Sequence, residues 1–137
     1  YDIAKLSDII SINCSLDSTN KGLIDKNFIS KMKKGSSFIN SARGGLIKNI
    51  ENFYLPLKNK KIDSIFLDVL SEEPPKKSQI IKSWLNDKDL NSRILINPHT
   101  SYYSQQAYIE MREKISINAL NLLNNKNPRN IILDARK

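Results

Sequence analysis

Four short apolar runs punctuate the chain without helical spacing, and between them apolar positions recur three and four apart. Residues 9–13, 37–40, 64–69 and 93–97 have the length and the β-branched or aromatic content of buried strands. Residues 2–6 predict one helical turn. Asp25 predicts an N-cap, with Phe28, Ile29 and Met32 on one face and Lys33-Lys34-Gly35 as a basic last turn with a glycine stop. Leu46, Ile47, Ile50, Phe53, Tyr54 and Leu57 follow helical spacing, and Pro56 inside them predicts an end or a kink. The prolines of residues 71–77 predict a loop, residues 78–85 a short helix carrying Ile80, Ile81, Trp84 and Leu85 toward the core, and residues 86–92 a polar connection. A long helix is predicted from Ser101 or Ser104, its stripe of Tyr108, Met111, Ile115, Ala119, Leu122 and Leu123 opposing Arg112, Glu113 and Lys114 over about five turns. Residues 124–128 stop it, and the tail, residues 130–137, ends in a short apolar piece.

Strands alternating with helices predict an α/β fold whose parallel sheet is covered on both faces. Ligands of such sheets bind beyond the carboxyl ends of the strands. That rule selects residues 14–20, 41–45, 68–73 and 99–102. Arg43 stands in a turn held by Gly44 and Gly45, either as a two-pronged anchor for a carboxylate or phosphate or as one more surface cation. Asp68 ends an apolar strand, where a buried carboxylate needs donors from a bound polar group or from a turn that it caps. His99 with a carboxylate such as Glu73 makes an acid–base pair, whereas His99 alone reads as a histidine packed after Pro98. Cys14 has no neighbour in sequence that would activate it and reads as a packed thiol or a backbone contact.

Composition narrows the class. With 137 residues and 39% hydrophobic content the chain is one domain at most, and no apolar run reaches the ~18–20 residues of a membrane span. The start at Tyr1 has no signal-like character and suggests a processed or partial chain. A single cysteine excludes an internal disulfide framework and makes an intracellular compartment the default, and one Cys with one His leaves no zinc site expected. The net charge of +8 would suit a nucleic acid if gathered on one face, but the lysines are scattered where helices end and loops begin. We therefore expect no direct nucleic-acid partner and no membrane.

Several pieces in order resemble the D-isomer-specific 2-hydroxyacid dehydrogenases: residues 7–14, Gly22-Leu23-Ile24-Asp25, Ile39-Asn40-Ser41-Ala42-Arg43-Gly44-Gly45-Leu46, Leu67-Asp68-Val69 with Glu73-Pro74, and Pro98-His99. Residues 103–107 and 109–113 look most like the branch formed by the C-terminal-binding-protein corepressors. The resemblance implies NAD as cofactor and a small 2-oxo or 2-hydroxy acid as substrate. His99 would be the general acid, Glu73 would hold its protonation state, and Arg43 would bind the substrate carboxylate; Glu72 replaces Glu73 if the register slips. Cofactor contacts carry over to Cys14, Ser15, Leu16, Asp17, Ser18, Thr19 and Asn20, to Ser41, Ala42 and Arg43, to Asp68, and to His99, Thr100, Ser101 and Tyr102. This sequence departs from the family at Ser15, Tyr102 and Pro56 and in the longer loop before His99.

No Gly-x-Gly-x-x-Gly precedes a helix in these residues. The resemblance places Tyr1 after that motif, so the chain is expected to be the second half of a doubly wound dinucleotide-binding (Rossmann) domain, with residues 101–137 returning toward a substrate domain. Half a sheet is expected to leave an apolar edge unpaired, and the isolated chain to bind NAD poorly and aggregate. The family further implies a homodimer through this domain. A corepressor would add transcription-factor partners and a nuclear location, and an enzyme a cytoplasmic one.

Overall fold

The computed structural model describes residues 1–75 and 78–131, so the expectations for Lys76, Lys77 and most of the tail fall outside the described residues. It divides into a unit Tyr1–Ser101 and a second unit that begins at Tyr102.

The first unit carries four parallel strands in the order β1 (Ile9–Ile12), β2 (Ser36–Asn40), β3 (Ile62–Leu67) and β4 (Ile94–Ile96). Helix α1 (Asp2–Leu6) precedes β1, and α2 (Lys26–Lys31) joins β1 to β2. Two 3-10 turns, Gly44–Leu46 and Ile50–Phe53, lead into α3 (Tyr54–Lys58), which joins β2 to β3; α4 (Gln79–Asn86) and α5 (Lys88–Asn91) join β3 to β4. Register aligns Ile10, Phe38, Ile65 and Ile94 in one row across the sheet, and all four are buried with Ile29, Phe53, Leu57, Ile80 and Leu90 from the connections.

The next row, Ser11, Ile39, Phe66 and Leu95, lies on the opposite face, where Phe66 is 38% and Leu95 49% exposed. Within this unit the sheet is thus covered on one face, against the expectation of two. Strands added successively in one direction through right-handed crossovers send every connection to the same side. Strand β1 has β2 as its one neighbour among the described residues, and Ile9 on it is 64% exposed, in line with the expected apolar edge.

Local signals mostly hold. The Asp25 side chain accepts from the Phe28 N–H as an N-cap, although α2 ends before Lys33-Lys34 and Gly35 turns the chain at φ +79°. Pro56 does not end its helix, because it lies in the first turn of α3, where its missing N–H costs little. Strand β3 stops one residue before Asp68. Leu85 is 64% exposed rather than turned inward, and Ser83 takes the buried place beside Ile80. The polar connection 86–92 hides α5, which Asp87 caps and Leu90 anchors in the core.

The second unit is α6 (Gln105–Leu123), with the Ser104 side chain accepting from the Ala107 N–H. Its stripe is not buried: Met111, Ile115, Leu122 and Leu123 are all exposed. No helix among the described residues is long and apolar enough to cross a membrane.

Phe38 is fully buried with its ring centroid 4.9 Å from that of Phe53. Phe38→Ala should lower unfolding free energy by about 3–5 kcal/mol in urea titrations, whereas Leu85→Ala should change it by less than about 0.5 kcal/mol.

Candidate active site

Asn40 closes β2 fully buried, and its side chain is consumed by the turn that follows. Oδ1 accepts the Ala42 N–H at 3.1 Å, and Nδ2 donates to the Arg43 carbonyl at 3.0 Å. The amide therefore pins the Ser41-Ala42-Arg43 turn at both ends. Directly after it, the Gly44 backbone lies against Leu70, so close that a Cβ at position 44 would sit 2.1 Å from the Leu70 carbonyl carbon and oxygen. Only glycine allows the Arg43 turn to rest on the loop that carries Glu73.

The first loop docks on the same turn. Leu16 packs at Gly45, the Gly22 N–H donates to the Gly45 carbonyl, and the Ile24 N–H to that of Leu46. Within the loop the Asp17 carboxylate accepts from the Thr19 N–H and hydroxyl, and Asn20 Nδ2 donates to the Ser15 carbonyl. The Thr19 donors hold the Asp17 carboxyl below its ordinary range. Cys14, Ser15, Leu16, Asp17, Ser18 and Thr19 are exposed along this rim, and Asn20 is half-buried.

Asp68 is 7% exposed just beyond β3 and caps the turn that presents His99. Its carboxylate accepts the Thr100 and Ser101 N–H groups at 2.9–3.1 Å, and its carbonyl accepts that of His99 at 2.9 Å. Burial alone would raise the Asp68 carboxyl, but the Ser101 and Thr100 donors and nearby His99 outweigh it and hold it low. Of the two roles open for Asp68, turn-capping is the one its hydrogen bonds show. His99 itself sits at φ +56°, a left-handed conformation that costs a non-glycine residue of order 1 kcal/mol or more and that these bonds maintain.

His99 Nδ1 meets Glu73 Oε2 at 2.8 Å, and Glu73 Oε1 accepts the Leu70 N–H at 2.8 Å. Glu73, not Glu72, is therefore the carboxylate against His99. The Leu70 donor and then the imidazole keep the Glu73 carboxyl below its usual value, against a smaller opposing effect of burial. With Nδ1 engaged, Nε2 is the ring nitrogen left for proton exchange with a ligand. Both side chains are partly solvated.

Arg43 stands on the same rim with an exposed side chain, its Nη1 donating to the Ala42 carbonyl at 2.7 Å. It reaches the acid–base pair through the Gly44–Leu70 contact rather than by a hydrogen bond of its own. Ser41, Asp68 and Ser101 line one small hollow of about 90 Å³. Tyr102 belongs to the second unit, where its ring neighbours Tyr103. Sequence reasoning missed Asn40 as a clamp, although a polar residue ending an apolar strand is the signal that had drawn attention to Asp68.

Gly44→Ala should cost about 1–3 kcal/mol and displace the His99 ring resonances in NMR spectra. Gly45→Ala should cost less, since only the flexible end of Leu16 must move aside. Asp68→Asn should lower stability by about 1 kcal/mol at neutral pH, the difference between charged and neutral hydrogen bonding. Because the folded carboxyl titrates below its ordinary 3.8, that stabilisation is present above pH 4 and lost as pH falls through the folded value. Urea titrations of both proteins from pH 7 downward should therefore differ by a constant amount above pH 4 and begin to converge below it.

Residues 1–101 match the family described as D-isomer specific 2-hydroxyacid dehydrogenase, NAD binding domain. A putative 2-hydroxyacid dehydrogenase of Haemophilus influenzae is 33% identical over 117 residues, which are 85% of this chain and 36% of that protein. A glycerate dehydrogenase of Methylorubrum extorquens is 30% identical over 126 residues, 92% of this chain and 38% of that protein. An acyclic imino acid reductase (Bsp5), solved with NADPH and D-Arg, superposes with a TM-score of 0.81 at 29% identity over 96% of this chain and 39% of its own. The chain thus spans little more than a third of the length of these relatives. Matched across residues 1–101, the chain belongs to the D-isomer specific 2-hydroxyacid dehydrogenases, and the match lies in their NAD-binding domain.

Proposed function

We propose that the protein of which these residues form part reduces a 2-oxo acid to the 2-hydroxy acid, and that Arg43, Glu73 and His99 carry the chemistry. The observation behind this reading is the 2.8 Å Glu73–His99 pair at the carboxyl rim of a parallel sheet, with a guanidinium on the adjoining turn. His99 Nε2 gives its proton to the oxygen at C2 during reduction and takes it back during oxidation, while Glu73 holds Nδ1 and fixes the orientation of the ring. Arg43 exchanges its bond to the Ala42 carbonyl for a bidentate pair with the substrate carboxylate. Held there, C2 faces one direction and its oxygen lies next to the acid.

The rim suits a nicotinamide cofactor. Ser41, Asp68 and Ser101 converge on one small hollow, and the first loop, whose Leu16 packs at Gly45 just after the Arg43 turn, presents the exposed short polar side chains of Ser15, Ser18 and Thr19. Cys14 to Asn20, Ser41 to Arg43, Asp68 and His99 through Ser101 are the residues of the first unit that would hold it. When bound, the reduced cofactor supplies the hydride for C2.

The corepressor alternative rested on residues 103–107 and 109–113, which enter and form the start of α6, and the relatives described above bear enzyme names. No observation favours that reading, its transcription-factor partners or the homodimer.

In the whole protein, His99→Gln should lower kcat for 2-oxo acid reduction about 10²–10⁴-fold, with a far smaller loss of NADH affinity by fluorescence titration. Arg43→Lys should raise KM for the 2-oxo acid more than tenfold, since an ammonium cannot form the paired bonds. Unchanged turnover in His99→Gln would reject the proposed role.

A further inference from the structure

Asn40 is attached at its backbone as well as at its amide. Its carbonyl accepts the Asp68 N–H at 3.0 Å, and the Asp68 carbonyl accepts the His99 N–H at 2.9 Å. The same residue therefore grips the Arg43 turn with its side chain and, through Asp68, the turn that presents His99. Arg43 depends on that grip, because its exposed guanidinium has among the described residues one bond, to the carbonyl of its neighbour Ala42. Its backbone is held instead: Ala42 and Arg43 are bracketed by the Asn40 amide, and the Arg43 carbonyl also accepts the Leu46 N–H at 3.2 Å. The turn asks for an acceptor toward Ala42 and a donor toward Arg43, and an amide offers both at one reach.

We infer that Asn40 is a positioning residue, which sets the spacing between the carboxylate anchor at Arg43 and the proton donor at His99. The inference rests on the reading of Arg43 as anchor and His99 as acid, and adds the member that ties them together. Fully buried, Asn40 acts on the substrate through Arg43. Without the amide the guanidinium would hang from a loose turn, so capture of the carboxylate would have to order backbone as well as side chain. A carboxylate held off register also brings C2 to the wrong distance from His99, and a displacement of about 1 Å costs on the order of 10²-fold in rate.

The test is a double-mutant cycle in the whole protein, with NADH and NADPH supplied and pyruvate, hydroxypyruvate, glyoxylate and phenylpyruvate as substrates. Asn40→Ala should lower kcat/KM about 10–100-fold, mainly through KM. In an Arg43→Ala background, at enzyme concentrations raised to match the slower turnover, the same change should cost less than about twofold, because nothing is left to position. Hydrogen exchange at the Ala42 amide, read without turnover, should be about tenfold faster or more in Asn40→Ala. Asn40→Ser, which leaves room for water to satisfy the two freed groups, repeats the cycle if the alanine variant does not fold. Equal losses in both backgrounds, or an unchanged KM beside a lowered unfolding free energy, mean that Asn40 serves the fold alone and overturn the inference, as does failure of both variants to fold. Ala42 exchange as slow as in the parent protein overturns it too. Failure of the underlying reading looks different: no 2-oxo acid is turned over at all, or Arg43→Ala by itself leaves KM untouched.

Discussion

Two stretches of backbone, at Gly44 and at Leu70, approach so closely that no side chain fits between them. From this contact the rest of the site is assembled in short rigid steps. Leu70 donates its N–H to one oxygen of Glu73, the other oxygen meets His99, and the His99 N–H returns to the Asp68 carbonyl two residues before Leu70. Every step but the Glu73–His99 pair uses a backbone group, which loses no rotamer freedom when it is placed. The Arg43 turn, attached to the other side of the contact, inherits the same rigidity.

Asn40 and Asp68 play matching parts at the ends of neighbouring strands. Both are buried where the sheet gives way to loops, and leaving either unsatisfied would cost about 1–3 kcal/mol or more. Each is satisfied by the turn that follows its own or a neighbouring strand: Asn40 by residues 42 and 43, Asp68 by residues 100 and 101. Polar groups buried at strand ends thereby convert the order of the sheet into order in the loops, which is where a parallel sheet places its chemistry. The left-handed backbone at His99 is tolerated because Asp68 holds the turn from two sides.

Topology explains why the unit is one-sided. Four parallel strands in sequential order, whose crossovers by the general rule are right-handed, bury the face bearing Phe38, Ile65 and Ile94 and leave Phe66 and Leu95 partly open on the other. The helix beginning at Gln105 likewise presents its apolar stripe to solvent. Both surfaces belong to a chain that covers little more than a third of its relatives' length.

Strand positions, the cap at Asp25, the start of the last helix at Ser101 or Ser104 and the four strand ends carrying the unusual residues were legible in the sequence, because each depends on residues within a few positions of one another. Arg43, Glu73 and His99 were legible as candidates through the motifs around them. Tertiary structure decided the rest. That Leu85 faces out while Ser83 faces in, that Pro56 falls where a helix tolerates it, and that connections crowd one face depend on what packs across the chain. The meeting of Glu73 with His99 and the clamping by Asp68 come from contacts spanning up to 33 residues, which no local pattern encodes. Short-range spacing determines which side chains are available; the closure of distant loops determines which of them meet.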